Sequence, residues 1–186
     1  RRIRETEPAS PLRFLLEATA RVCILTCEYK PGRSLKEMIM KRILVAVDFS
    51  EVTDQLIAKA LEIGRAFDSK ILLIHTEPDE PEFVGYGVGP QYIRDSVAKD
   101  MREDMRRLED YRRRIEAEGL QADCRQIQGP TVEKVLQEAK DFKADLLIIG
   151  SHEHGAWHEL LVGTMRNLIH HSPCPVLVIP QHDEKK

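Results

Sequence analysis

The sequence predicts an α/β fold in which helices cover both faces of a doubly wound parallel sheet of five strands. Two observations carry this prediction. Four short runs are apolar at every position, and segments with helical apolar spacing lie between them. A strand that is buried under helices on both sides needs apolar residues on both of its faces. Strands that alternate with helices favour right-handed parallel crossovers.

The elements follow in chain order from these two patterns. The four apolar runs predict strands at residues 43–47, 71–74, 146–149 and 176–179. A weaker strand at residues 122–128 alternates only in part, so we predict it at an edge of the sheet. Apolar stripes at helical spacing predict helices over residues 56–67, 97–115, 132–139 and 160–170. Gly119 suits the cap that ends the second of these helices.

The chain of 186 residues divides at Met40. Residues 1–39 contain prolines and an apolar stretch that charged residues interrupt, which is unlike the unbroken centre of a signal peptide. We predict that they form a poorly ordered extension, or lie upstream of a true start at Met40 or Met38, with one short helix around residues 15–22. Residues 40–181 form the single predicted domain, and residues 182–186 are a charged tail.

Composition excludes several classes of protein. The 28 Lys and Arg residues nearly balance the 31 Asp and Glu residues, which argues against a protein that coats nucleic acid or anionic membrane. No apolar stretch is long enough to span a membrane. The four cysteines are too scattered for a disulfide scaffold, and Cys124 and Cys174 read as small buried residues rather than nucleophiles. We predict a reduced, cytoplasmic protein with no nucleic-acid or membrane partner.

Ligands of doubly wound sheets bind beyond the carboxyl ends of the strands, where the strand order reverses. The residues that follow the predicted strands are therefore informative: Asp48, Thr76, Gly129 and Gly150. A glycine at a strand end lets backbone N–H groups approach phosphate oxygens, and the helix that opens at Gly163-Thr164 offers further N–H groups. The alternative interpretation of the same residues is a tight turn followed by a capped helix.

Three segments resemble the universal stress protein family over residues 40–181. They are Val45-Ala46-Val47-Asp48-Phe49-Ser50, the loop of residues 150–164, and residues 171–179. The nucleotide motif of the family is G-x2-G-x9-G-[ST]. Gly150, Gly163 and Thr164 match this motif at the right spacing, whereas Glu153 stands at the position of the middle glycine.

The resemblance implies a Rossmann-like, adenine nucleotide alpha hydrolase-like domain that acts in stress physiology. Many members bind ATP, with Mg²⁺ as the accompanying ion, and others do not. The resemblance also implies a homodimer through the last strand, Val176-Leu177-Val178-Ile179. The residues that would line the nucleotide site are Ala46, Asp48, Thr76, Ile149, Gly150, Gly163, Thr164 and Met165, and those that would border it are Ser151, His152, Glu153 and Gly129.

Glu153 leaves alternatives open. Two like charges about 4 Å apart cost about 1 kcal/mol in water and about 4 kcal/mol near a protein surface, so Glu153 would repel a triphosphate unless it turns to solvent or helps hold Mg²⁺. The second interpretation is a nucleotide-independent homodimer, and the third is a weak ATP-hydrolysing or adenylyl-transfer enzyme. We assign no catalytic residue. His152, His154 and His158 could bind a metal ion, but exposed-loop histidines are common and we predict no metal site there.

Overall fold

The computed structural model describes residues 23–25, 40–77, 91–129, 131–151 and 167–180. Its strands are β1 (Cys23–Leu25), β2 (Arg42–Ala46), β3 (Lys70–Glu77), β4 (Gln121–Gln128), β5 (Leu146–Ser151) and β6 (Val176–Pro180). Its helices are α1 (Thr53–Phe67), α2 (Gln91–Ala117) and α3 (Thr131–Asp141), and residues 167–171 are also helical.

The strands form one sheet in the order β1-β6-β5-β2-β3-β4. Strands β2 to β6 pair in parallel, which confirms the five predicted strands and their doubly wound arrangement. The weakly patterned strand β4 lies at an edge, as its partial alternation predicted. The order along the chain reverses beside β2, because β3 and β4 extend the sheet on one side of it and β5 and β6 on the other.

The sheet separates two apolar cores. Ile43 and Val45 of β2 face the core that α1 and α2 cover, and Leu44 faces the core that α3 and residues 167–171 cover. All three side chains are fully buried. This two-sided burial explains why the central strands are apolar at every position rather than at alternate ones.

Local backbone features explain where α1 and α2 end. The predicted stripe of α1 is buried at Leu56, Ala60 and Ile63, and the helix ends where Asp68 takes a left-handed conformation. The predicted cap of α2 is confirmed at Gly119, whose φ of 84° favours glycine. The fourth predicted helix is present over residues 167–171, and the rest of its predicted span lies outside the described residues.

The sixth strand, β1, comes from the segment that we predicted as an extension. Cys23, Ile24 and Leu25 pair antiparallel with Val178, Leu177 and Val176 of β6. The sequence analysis predicted no strand here, so the structure adds one antiparallel edge strand to the five parallel ones. It occupies the edge of β6 through which we predicted a homodimer. The helix predicted around residues 15–22 lies outside the described residues.

Candidate functional site at the carboxyl edge of the sheet

The carboxyl ends of β2, β3 and β5 lie side by side, because β2 pairs with both of the others. This places Asp48 beyond β2, Thr76 near the end of β3, and Ile149, Gly150 and Ser151 at the end of β5. Gly129 follows β4, the strand next to β3, at the same carboxyl edge. The structure therefore brings these predicted residues to the edge where the strand order reverses.

Asp48 lies in the short loop between β2 and α1, where its side chain is held by the residues that follow it. Its Oδ1 accepts hydrogen bonds from the backbone N–H of Ser50 at 3.1 Å and from the Ser50 hydroxyl at 2.6 Å. The buried Thr53 hydroxyl approaches the same oxygen at 3.5 Å. Aspartate favours this kind of local bond to the backbone two residues on. The carboxylate is exposed, so it is both oriented and accessible.

The loop is also held by contacts that the sequence analysis did not predict. They join Phe49 of the loop to His75 and Arg107. Phe49 has a φ of 59°, which is uncommon for a bulky residue. The centroid of its ring lies 4.4 Å from the centroid of the His75 ring and 4.3 Å from Cζ of Arg107. The Phe49 carbonyl oxygen accepts from Arg107 Nη2 at 3.2 Å. Two residues earlier in the chain, the carbonyl oxygen of Val47 accepts from His75 Nδ1 at 2.8 Å. These contacts from β3 and α2 hold the strained conformation of the loop.

Thr76 contacts the start of α3. Its hydroxyl donates to the hydroxyl of Thr131 at 3.3 Å. The preceding turn is set by Gly129, which has a φ of 121° and donates its N–H to the Glu77 carbonyl at 3.0 Å. Thr131 was not predicted as a site residue. The only sequence signal for it is a Thr that directly follows a Gly-Pro pair at a helix start.

Gly150 has a packing role that the motif alone does not reveal. A Cβ built on Gly150 would lie 2.5 Å from Cγ1 of Val52 and 3.7 Å from Cδ1 of Leu56. The first distance is shorter than real contacts allow, so β5 can approach the start of α1 only because residue 150 lacks a side chain. On the opposite face of the sheet, Ala46 and Ile149 pack with the α3 core.

The thiol of Cys124 lies away from this edge, on β4 against α2. Burial, together with the nearby Glu109 carboxylate, raises the pKa of Cys124 to about 11. The thiol is therefore protonated at neutral pH, which agrees with the prediction that it is a small buried residue rather than a nucleophile.

The family profile described as "Universal stress protein family" matches residues 40–180. This chain belongs to the universal stress protein family. The match confirms the resemblance that the sequence motifs indicated. Among curated relatives, the Thermus aquaticus "Universal stress protein in QAH/OAS sulfhydrylase 3'region" is 29% identical over 147 residues, which cover 76% of this chain and 99% of that protein.

Solved structures of the family share the fold. The Archaeoglobus fulgidus universal stress protein "in complex with dAMP" superposes with a TM-score of 0.55 at 19% identity, covering 76% of this chain and 98% of that one. An Arabidopsis thaliana family protein "with AMP Bound" superposes with a TM-score of 0.51 at 21% identity, covering 78% of this chain and 94% of that one.

Several predicted site residues of this universal stress protein lie outside the described residues. They are His152, Glu153, Gly163, Thr164 and Met165, and the histidine loop with His154 and His158 lies there too. The role of every predicted site residue stays a prediction. In the part of the chain that the structure describes, no helix is long and apolar enough to cross a membrane.

Proposed function

We propose that this universal stress protein binds an adenine nucleotide at the carboxyl edge of its sheet, with ATP and Mg²⁺ as the ligand. We further propose that it acts as a nucleotide-responsive regulator of the stress response in the cytoplasm. The observation that carries the proposal is the juxtaposition of Asp48, Thr76 and residues 149–151 where the strand order reverses. The dAMP and AMP complexes of proteins with this fold support the choice of an adenine nucleotide.

Asp48 fits the ribose or the metal ion better than it fits a phosphate. Its carboxylate is an acceptor for hydroxyl donors and repels phosphate oxygens. The bonds from Ser50 and the contact from Thr53 orient it before any ligand arrives, so little ordering is left to oppose binding.

The adenine and phosphate ends are assigned to different elements. Thr76 and Thr131 offer hydroxyls on the face of the sheet where Ala46 and Ile149 pack against the α3 core, a combination that suits a flat base with polar edges. The phosphates are assigned to backbone N–H groups near Gly150 and to Gly163 and Thr164, which match the ends of the family motif. Ser151 and Gly129 would border this site.

The second candidate is a nucleotide-independent homodimer, and Glu153 favours it. A carboxylate at the middle motif position would repel a triphosphate. Such a protein would act through protein contacts alone.

The decisive experiment is calorimetric titration of the full chain with ATP and with AMP, both with Mg²⁺. We expect micromolar ATP binding that weakens about tenfold or more in Asp48→Asn, because a hydrogen bond to a charged group contributes about 1.5–3 kcal/mol. Asn keeps an oxygen that can accept from Ser50, so the loop should stay in place. Asp110→Asn on the exposed side of α2 is the matched control and should bind like the wild type.

Glu153→Gly separates the two candidates. ATP places more negative charge near residue 153 than AMP does, so the substitution should tighten ATP binding more than AMP binding. Binding by Glu153→Gly alone would establish the nucleotide-independent candidate. If neither protein bound either nucleotide, the site assignment would be wrong. Sustained ATP turnover that disappears in Asp48→Ala would instead indicate a hydrolysing or adenylyl-transfer enzyme.

A further inference from the structure

A second group of side chains lies at the same edge, on the face of β3 that is opposite Thr76. His75 and Glu77 alternate with Thr76 along the strand, so they point toward α2, where Asp104 meets them. One ligand atom from each residue lies within 4.8 Å of the other two. We infer that His75, Glu77 and Asp104 bind a divalent first-row transition metal ion, independently of any nucleotide.

The imidazole of His75 is oriented for a metal. Its Nδ1 lies 2.8 Å from the carbonyl oxygen of Val47, and a carbonyl oxygen only accepts, so Nδ1 carries the proton. In the neutral ring Nε2 then holds a lone pair. Metal-binding histidines characteristically donate their other ring N–H to a backbone carbonyl or a carboxylate in this way, which fixes the ring and its tautomer.

The carboxylates of Asp104 and Glu77 are also oriented by neighbouring side chains. Asp104 Oδ1 lies 3.5 Å from Arg107 Nη1, and Asp104 Oδ2 faces His75 Nε2 at 3.9 Å. Glu77 Oε1 accepts from the side-chain amide of Gln126. One oxygen of each carboxylate thus has a protein partner, and such second contacts orient ligands at metal sites.

An ion pair between His75 and Asp104 is the simpler interpretation of this group. However, an ion pair engages His75 and Asp104 alone, whereas the Glu77 carboxylate lies within 4.8 Å of both and adds a second negative charge to the cluster. Two carboxylates and an imidazole lone pair are all electron-pair donors, and a cation between them would satisfy all three. The side chains of His75 and Asp104 are only 14% and 26% exposed, so water screens their charges incompletely.

The donor set indicates which ion fits. One imidazole nitrogen with two carboxylate oxygens suits Mn²⁺, Zn²⁺ or Co²⁺ better than Ca²⁺, which takes oxygen ligands only. Metal–ligand bonds of about 2.0–2.2 Å place tetrahedral ligand atoms about 3.4 Å apart, so small side-chain rotations close the present spacing. Three protein ligands leave further positions for water. A bound ion would join β3 to α2 next to the Asp48 loop.

Manganese titration of the nucleotide-free full chain tests the inference, with free Mn²⁺ measured by electron paramagnetic resonance. Mn²⁺ binds histidine-rich surfaces more weakly than the later metals of its row, so it discriminates against the loop with His152, His154 and His158. We expect one Mn²⁺ per chain. Asp104→Asn and Glu77→Gln should each weaken binding at least tenfold, and Gln126→Ala should weaken it less.

The controls match the charge change of the test variants and verify that they fold. Glu103→Gln removes the same charge from the exposed side of α2 and should bind Mn²⁺ like the wild type. The triple substitution of His152, His154 and His158 by Asn should also leave binding intact. Mn²⁺ should raise the melting temperature of the wild type but not of Asp104→Asn, whose metal-free melting temperature verifies that it folds. The inference is wrong if millimolar Mn²⁺ does not bind, or if Asp104→Asn binds Mn²⁺ as tightly as the wild type; loss of binding in the triple variant would then place the ion at the histidines.

Discussion

Gly150 shows how one residue serves packing and, in our proposal, ligand binding. Its backbone ends β5 at the candidate site, while the space where a Cβ would lie is filled by Val52 at the start of α1. Val52 is fully buried and β-branched, so it has little rotamer freedom with which to move aside. The glycine at this position is therefore required for the contact between β5 and α1, whatever the ligand.

Gly150→Ala should destabilise the fold by about 1–3 kcal/mol, the usual cost of forcing an extra methyl group into a packed core. Val52→Ala alone should cost about 2 kcal/mol through lost burial. In the double variant the new methyl group enters the space that Val52 vacates. Urea unfolding monitored by circular dichroism should therefore show that the double variant loses less free energy of unfolding than the two single variants together, by at least about 1 kcal/mol. Strictly additive losses would mean that contact with Val52 is not what destabilises Gly150→Ala.

The sequence analysis predicted Gly150 as a site residue but did not predict its contact with Val52. Gly150 stood out because it ends an apolar run and matches a family motif, whereas Val52 is an ordinary apolar residue of a loop. The same limit applies to Arg107 and Asp104. Both lie among the interleaved charges of α2, and only the fold brings them to His75 on β3. Side chains that are distant along the chain can be paired only when the crossing of their elements is known.

At the level of elements, the pattern of burial made the central strands predictable. Strands β2, β3, β5 and β6 are apolar at successive positions because helices cover both faces of the sheet. Strand β4 alternates because it lies at an edge. Strand β1 could not be predicted, since three residues are too short for a periodic signal and their partner on β6 is distant in the chain.

The contact between β4 and α2 sets the chemistry of Cys124. Its Sγ lies 3.6 Å from Glu109 Oε1, and burial and this carboxylate both favour the neutral thiol. Alkylation of Cys124 should therefore become about tenfold faster per pH unit from pH 8 to 10, because the thiolate fraction keeps rising toward a pKa of about 11. An unperturbed thiol would level off near its own pKa of about 8.5. Iodoacetamide labelling read by peptide mass spectrometry measures the rate at this cysteine alone.

Glu109→Gln is the matched test of the cause. It removes the carboxylate charge and keeps the size of the side chain, so the pKa of Cys124 should fall and the labelling rate should level off at a lower pH. The folded state disfavours the Cys124 thiolate, so its contribution to stability is complete below the pKa of the unfolded thiol. That contribution is lost as the pH rises toward about 11. A pH profile unchanged by Glu109→Gln would show that burial, and not the Glu109 carboxylate, dominates the raised pKa of Cys124.

At the scale of the whole molecule, β1 determines whether β6 is open to a strand from another chain. We predicted a homodimer through β6, but Cys23–Leu25 of the same chain pairs with Val176–Val178 along that edge. An apolar strand with unpaired backbone groups is a template for another strand, so the two partners would compete for β6. The homodimer stays a prediction, and its condition is that β1 leaves this edge.

A chain of residues 40–186 should therefore dimerise at lower concentration than the full chain, because it presents β6 without a competing strand. Light scattering coupled to gel filtration gives the mass of each form over a range of micromolar concentrations. Ile24→Pro in the full chain is the matched control, since proline fixes φ near about −65° and so disfavours the extended conformation of β1 without changing the length of the chain. It should dimerise like the shortened chain. If all three proteins had the same mass at every concentration, β1 would not govern association, and a dimer, where one formed, would use another surface.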